Sequence, residues 1–126
     1  MKSASDPRHL KRIATFKSLF AGSFTEQPER PSRAEKIYVN MEKIDEIIQK
    51  CAPEWPISQI NRVDLAVLRQ AVYELLFKEQ TPTKVIIDEA VEIAKRYGGK
   101  TSSSFVNGAL AAALQYTNRL DEPSKS

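Results

Sequence analysis

The sequence predicts an all-α fold, a compact helical bundle, from three observations. Apolar residues recur at three- and four-residue intervals through most of the chain, the period of one helix face. The strict alternation of a half-buried strand is nearly absent. Only four glycines occur among 126 residues, which leans the composition further towards helices.

Asp6-Pro7 opens the first helix, since aspartate caps a helix and proline suits its first position. Leu10, Ile13, Phe16, Phe20 and then Phe24 supply an apolar stripe from about Pro7 to Phe20 or slightly beyond. Arg8, Lys11, Arg12 and Thr15 are placed on the opposite side, so the helix is expected to turn a basic strip outwards. Residues 25–33, with two prolines, read as a polar linker. Ser32 followed by Glu35 is a capping-box signature. Behind it Ile37, Met41, Ile44, Ile48 and Cys51 form a seam, widened by Ile47, that predicts one helix running to Ala52-Pro53. Cys51 lies on that seam and reads as a small buried hydrophobe rather than a reactive thiol.

Trp55 stands between Pro53 and Pro56 and reads as a packing plug between helical layers. A third helical region carries Ile60, Val63, Val67, Leu68, Ala71, Val72, Leu75 and Leu76, a stripe wide enough for the middle of a bundle, with Asp64 as the expected cap of its main part. Gln80-Thr81-Pro82 breaks the pattern and Thr83 starts a fourth helix, with Val85, Ile86, Ala90, Val91, Ala94 and Tyr97 apolar and Lys95 and Arg96 complementing the dipole. Gly98-Gly99 is a stop expected to use the left-handed conformation. Ser102 to Ser104 precede a fifth helix holding Phe105, Val106, Ala109, Leu110, Ala113 and Leu114, in which Gly108 is expected to mark close approach of another backbone. From Asp121 the tail reads as polar and disordered.

Composition bounds the function. Charged residues are 28% and hydrophobic residues 41% of the chain, ordinary for a globular protein. A single cysteine excludes an internal disulfide framework and a multi-thiolate metal site within one chain. No apolar run reaches the ~20 residues of a bilayer span, and residues 1–7 lack the apolar core of a secretory signal; a cytoplasmic protein without membrane association is expected. Residues 1–33 hold seven basic residues against three acids, whereas the remainder is close to neutral. That asymmetry points to a polyanionic partner.

No chemistry of catalysis is legible. The only histidine, His9, has no evident catalytic partner. No phosphate loop, HExxH, CxxC or GxSxG pattern occurs. Asp45, Glu46, Glu89 and Glu92 read as solvated helix faces rather than a metal-ligand cluster. No enzyme activity, cofactor, metal or catalytic residue is expected.

Three segments carry a more specific signal. Residues 63–77 read VDLAVLRQAVYELLF, residues 82–98 PTKVIIDEAVEIAKRYG, and residues 104–110 SFVNGAL. In this order and spacing they closely resemble the C-terminal half of the NusB family, strongly over residues 60–114, and Trp55-Pro56 also fits. Arg8-His9-Leu10-Lys11-Arg12 and Leu19-Phe20 resemble the family's basic start more loosely, and residues 21–59 look shorter than in typical members.

The resemblance implies a single domain of two packed helical subdomains, about 7–52 and about 56–118, with a flexible tail at 119–126. It also implies a transcription antitermination factor that, together with the ribosomal protein NusE, binds the single-stranded boxA element of ribosomal RNA transcripts and acts indirectly on the RNA polymerase elongation complex. Carried over by position, Arg8, His9, Arg12, Phe20, Phe105 and Asn107 face RNA, and helix geometry adds Lys11. Core packing is an equal expectation for Phe20 and Phe105. Thr101 occupies a position commonly acidic in relatives. Asp64, Arg69 and Glu74 are candidates for the protein partner, or for caps and pairs within the bundle. The alternative reading is a non-enzymatic protein-interaction or rRNA-binding module without antitermination activity, in which the Ile37–Ile48 seam pairs two copies as a homodimer.

Overall fold

The computed structural model describes residues 6–120, in which all regular structure is helical and no strand occurs. Six helices follow one another: α1 (Pro7–Gly22), α2 (Ser32–Val39), α3 (Met41–Cys51), α4 (Arg62–Phe77), α5 (Thr83–Tyr97) and α6 (Ser102–Ala113). A 3-10 turn at Ile57–Gln59 leads into α4, and another at Leu114–Tyr116 ends α6. The expected tail from Asp121 lies outside the described residues.

The chain organises around α4, which packs against α1, α2, α3, α5 and α6. Eleven of its sixteen residues are buried, so it is wetted on almost no side, as its wide apolar stripe predicts. One continuous core joins the two helical groups: Phe16, Leu19, Ile37, Ile44 and Ile48 from α1–α3 meet Leu68, Val72, Ile86, Ile93, Val106 and Leu110 from α4–α6. Among the described residues, no helix is long and apolar enough to cross a membrane.

Helix ends follow local chemistry, not always the chemistry expected. Asp6 caps α1 by accepting from the Arg8 amide at 2.9 Å, with Pro7 at the first position. The single helix expected over 32–52 is two, broken at Asn40, whose side-chain amide donates to the Lys36 carbonyl at 2.8 Å. The heptad-like seam continues across the break, which is why periodicity alone hid it. Ser32 makes no capping bond, because it lies inside α2, and Glu35 instead pairs with Arg30 at 2.8 Å. At α4, Asn61 replaces Asp64 as cap, its side-chain oxygen accepting from the amides of Val63 and Asp64 at 2.8 and 3.3 Å.

Two glycine expectations also change. Gly98 ends α5 at φ −96°, not in the left-handed region. A side chain there is excluded by space, since a Cβ would sit 2.7 Å from the Ala94 carbonyl and 2.6 Å from Ser102 Cβ. Gly108 has nothing within 4 Å of where its Cβ would be, so no backbone approaches it. Trp55, expected as a plug, is half exposed at 49%. At the other terminus Arg119 is buried and donates to the carbonyls of Leu75 and Thr81 at 3.0 and 2.6 Å, fixing the chain past α6.

Candidate nucleic-acid interface

The geometry of α1 decides which expected contacts face outwards. Its buried positions are His9, Arg12, Thr15, Phe16 and Leu19, while Arg8, Lys11 and Lys17 are exposed. The stripe therefore runs through polar residues at its N-terminal end, and Leu10, expected inside, is 49% exposed. The solvent-facing strip expected at Arg8, Lys11, Arg12 and Thr15 is thus corrected at two of its four members.

Arg12 and His9 turn inwards because α4 and α5 present carboxylates to them. Arg12 binds the Glu74 carboxylate through Nε (2.9 Å to Oε2) and Nη2 (2.7 Å to Oε1), a two-pronged pair with both side chains over 90% buried. Arg12 Nη1 also lies 3.6 Å from Glu89 Oε1. His9 Nδ1 hydrogen-bonds the same oxygen at 2.9 Å, and His9 Nε2 lies 3.7 Å from Glu92. Gln70 donates to the Arg12 carbonyl at 3.0 Å. Glu89, expected on a solvated face, is 2% exposed. Desolvation of four ionisable groups at one place is tolerable only because each meets an opposite or hydrogen-bonding partner.

Arg8 projects to solvent beside Asp6, 3.5 Å away. Lys11 and Asn107 are exposed. Of the three candidates for a protein partner, two are occupied within the fold: Glu74 by Arg12, and Arg69 by Asp45 through two bonds of 2.9 and 2.8 Å. Asp45 is accordingly half-buried and paired, not freely solvated. Asp64 is different. It is buried, yet it lines a surface pocket with Trp55, Gln59, Ile60, Asn61, Thr101 and Phe105, and its Oδ1 has no hydrogen-bond partner. Burial pushes the Asp64 carboxyl above its ordinary range, against the opposing effect of a hydrogen bond from Ser102.

These contacts divide the expected residues between two ends of the bundle. The Arg12–Glu74 pair joins the start of α1 to the end of α4, whereas Arg62 at the start of α4 donates to the Ser23 carbonyl just past α1. The two helices are therefore antiparallel. His9 meets Glu89 and Phe16 meets Tyr97 (5.2 Å between rings), so α1 and α5 run parallel. Arg8, His9, Arg12 and Glu74 lie at one end. Phe20, Asp64 and Phe105 gather at the other, some 18 Å along α1 at 1.5 Å per residue.

That second end is rich in rings and cations. Phe20 stacks on Phe16 at 6.1 Å and meets Phe24 edge-on at 5.1 Å. Phe24 is 60% exposed, with the Arg62 guanidinium 4.4 Å above its ring. Phe20 and Phe105 are both half-buried against the core, so each serves packing while keeping an exposed edge. Lys17 and Arg96 both approach the Tyr97 ring, at 5.7 and 5.4 Å. Lys17, Phe24, Arg62, Arg96 and Tyr97 escaped the sequence reading as site residues. The available signal was Phe24 and Lys17 near the α1 terminus and the Lys95-Arg96-Tyr97 run closing α5.

Among the described residues, no group of three or more His, Cys, Asp or Glu side chains is arranged to hold a metal ion. The surface offers exposed cations and partly open ring edges.

Comparison with known proteins agrees with the architecture. Residues 32–115 match the model of the NusB family. Proteins named transcription antitermination protein NusB are similar in sequence: that of Pseudothermotoga lettingae is 50% identical over 74 residues, covering 59% of this chain and 53% of the relative. That of Herpetosiphon aurantiacus is 45% identical over 80 residues, covering 61% and 55%. The match thus spans about half the length of these two relatives. The protein of that name from Thermotoga maritima matches more extensively, 38% identical over 126 residues, covering 82% of this chain and 87% of the relative. The solved structure of Thermotoga maritima NusB superposes with a TM-score of 0.77 at 36% identity, covering 91% of this chain and 93% of that one.

Proposed function

We propose, from the premise that this chain belongs to the NusB family, that it is a transcription antitermination factor binding boxA-type single-stranded RNA of ribosomal RNA transcripts together with the ribosomal protein NusE. The observation that carries this reading is the extended likeness, in sequence and in fold, to the Thermotoga maritima protein named for transcription antitermination. The role is regulatory, reaching RNA polymerase through an RNA–protein complex rather than through catalysis.

The surface supports it. Arg8 and Lys11 offer exposed cations along α1, and Phe20 and Phe105 offer ring edges at the far end of that helix. A single strand is held by such a combination, phosphates on cations and bases on rings. Asn107 adds an exposed amide on α6. His9 and Arg12 contribute by fixing α1 against α4 and α5. Asp64, the one partner candidate that opens on a surface pocket, is assigned to the NusE side. Arg69 and Glu74 hold α3 and α1 to α4.

The test is a fluorescence-anisotropy titration of a boxA RNA against a scrambled RNA of equal length, with and without NusE, at two salt concentrations. Salt-sensitive binding that favours boxA and tightens with NusE is expected, because phosphate contacts release counterions. Equal, weak binding of both RNAs with no effect of NusE overturns the proposal and leaves a family member without this activity.

A further inference from the structure

The ends of α1 and α5 hold two cations that have no salt bridge among the described residues. Lys17 and Arg96 come from different helices and converge on one ring, Tyr97, which is itself pinned by Phe16 at 5.2 Å. Neither cation has a carboxylate partner among the described residues, in contrast to Arg8, Arg12, Arg30, Arg69 and Lys84, which all do. The last turns of α1 and α5 each supply at most about half a negative charge through their dipoles, less than the two full charges of the side chains. Two like charges are therefore gathered with a remainder that favours an anion. The ring face contributes part of what holds them there, through the attraction of a cation to its electron-rich face.

The neighbourhood selects the kind of anion. Tyr97 closes α5 directly before the Gly98–Ser102 corner, and the half-buried Phe105 ring follows in the first turn of α6. On the other side the Phe16–Phe20–Phe24 ladder leads to Arg62. Cations that alternate with partly open rings along one edge match the repeat of a single-stranded nucleic acid, in which charged phosphates alternate with flat bases. A free phosphate or an acidic peptide needs only the charges and has no use for the rings.

We propose that Lys17 and Arg96, held over Tyr97, form a phosphate clamp for single-stranded RNA at the C-terminal ends of α1 and α5, with Phe24 under Arg62 as the neighbouring stacking face. The clamp rests on the RNA-binding reading given above and moves the centre of electrostatic contact along α1, away from Arg12 and His9. It reads charge, not sequence, so it contributes equally to boxA and to other strands.

The experiment compares wild type, Lys17→Gln/Arg96→Gln and, as control at the other end of α5, Lys84→Gln. Each is titrated with the boxA RNA and with an oligouridine of equal length across a salt series, alongside thermal melting. The double variant is expected to keep the wild-type melting curve and to bind both RNAs about tenfold more weakly in moderate salt. Its slope of log affinity against log salt should fall by about 1.4, close to 0.7 for each lost contact. Lys84→Gln is expected to match wild type. Wild-type affinity and slope in the double variant, with wild type binding normally, overturn the clamp and leave the antitermination reading standing. An equal loss in Lys84→Gln also overturns it, because net charge alone then accounts for the effect. Absence of salt-dependent RNA binding in wild type overturns both.

Discussion

Arg12 and Glu74, 62 residues apart in sequence, face each other with Nε 2.9 Å from one carboxylate oxygen and Nη2 2.7 Å from the other, both side chains shielded from water. The pair is more a condition of the fold than a surplus of stability, since removing either partner strands the other charge in the interior.

Arg12→Ala is accordingly expected to destabilise the protein by about 3–5 kcal/mol, the usual cost of an orphaned buried charge. Arg12→Met combined with Glu74→Leu, which removes both charges, should recover much of that loss. Urea unfolding of the two variants measures it. A single variant within 1 kcal/mol of wild type would mean that water reaches the pair.

Asp64 predicts a pH dependence of known sign. Its carboxyl is raised above the ordinary range by burial, so the folded state holds the proton more tightly than the unfolded chain does. The stability linked to this group is fully present below the unfolded-state value and is lost as pH rises through the folded one. Asp64→Asn should therefore raise the melting temperature at pH 7, with the gain shrinking as pH falls through the raised folded-state value and gone below about 4. A gain that is constant with pH points to a cause other than ionisation.

Gly98 and Gly108 should respond in opposite directions to alanine. Gly98→Ala forces a methyl against the Ala94 carbonyl and the Ser102 side chain and is expected to cost about 1–3 kcal/mol. Gly108→Ala meets open space inside α6 and should stabilise by up to about 1 kcal/mol through helix propensity. Thermal melting of both variants checks the pair, and a stabilised Gly98→Ala would refute the steric account.

Cys51 is expected to be a slow nucleophile. Burial pushes its thiol up from 9.0 to about 11, which lowers the thiolate fraction at pH 8 by roughly a hundredfold. Alkylation by iodoacetamide at pH 8 should be slow in the native protein and rapid in urea. Equal rates in both conditions would show that the native thiol is open to the reagent.

How much of this was legible in the sequence varies by element. The start of α1 follows from its cap, the start of α5 from the break at Pro82, and the central position of α4 from periodicity, all acting within a few residues; the stop at Gly98 was legible in place but not in mechanism. The α2–α3 break does not, because Ile37, Met41, Ile44 and Ile48 keep one seam across Asn40. The inward turn of His9 and Arg12 was hidden for a different reason. A charged residue at a stripe position is assigned to solvent unless its partner is known, and the partners Glu74 and Glu89 lie 62 and 80 residues away. One signal was present: Glu89 sits between Ile86, Ala90 and Ile93 on an otherwise apolar face, and His9 and Arg12 share the helical phase of Phe16 and Leu19. One misplaced acid, Glu89, and two misplaced bases, together with Glu74, which was a candidate for a pair within the bundle, describe a contact that no one of them describes alone.

The same internal pairing sets the register of α1. Oily side chains tolerate a helix sliding along its neighbour, because one apolar contact replaces another. Directional pairs do not. A displacement of one turn, about 5.4 Å, would carry Arg12 away from Glu74 and His9 away from Glu89 at once, leaving four polar groups stranded. The N-terminal helix thus behaves as a keyed shaft rather than a greased one, and what it carries at its far end, Lys17 opposite Tyr97 and Phe24 under Arg62, is delivered to a fixed address on the surface.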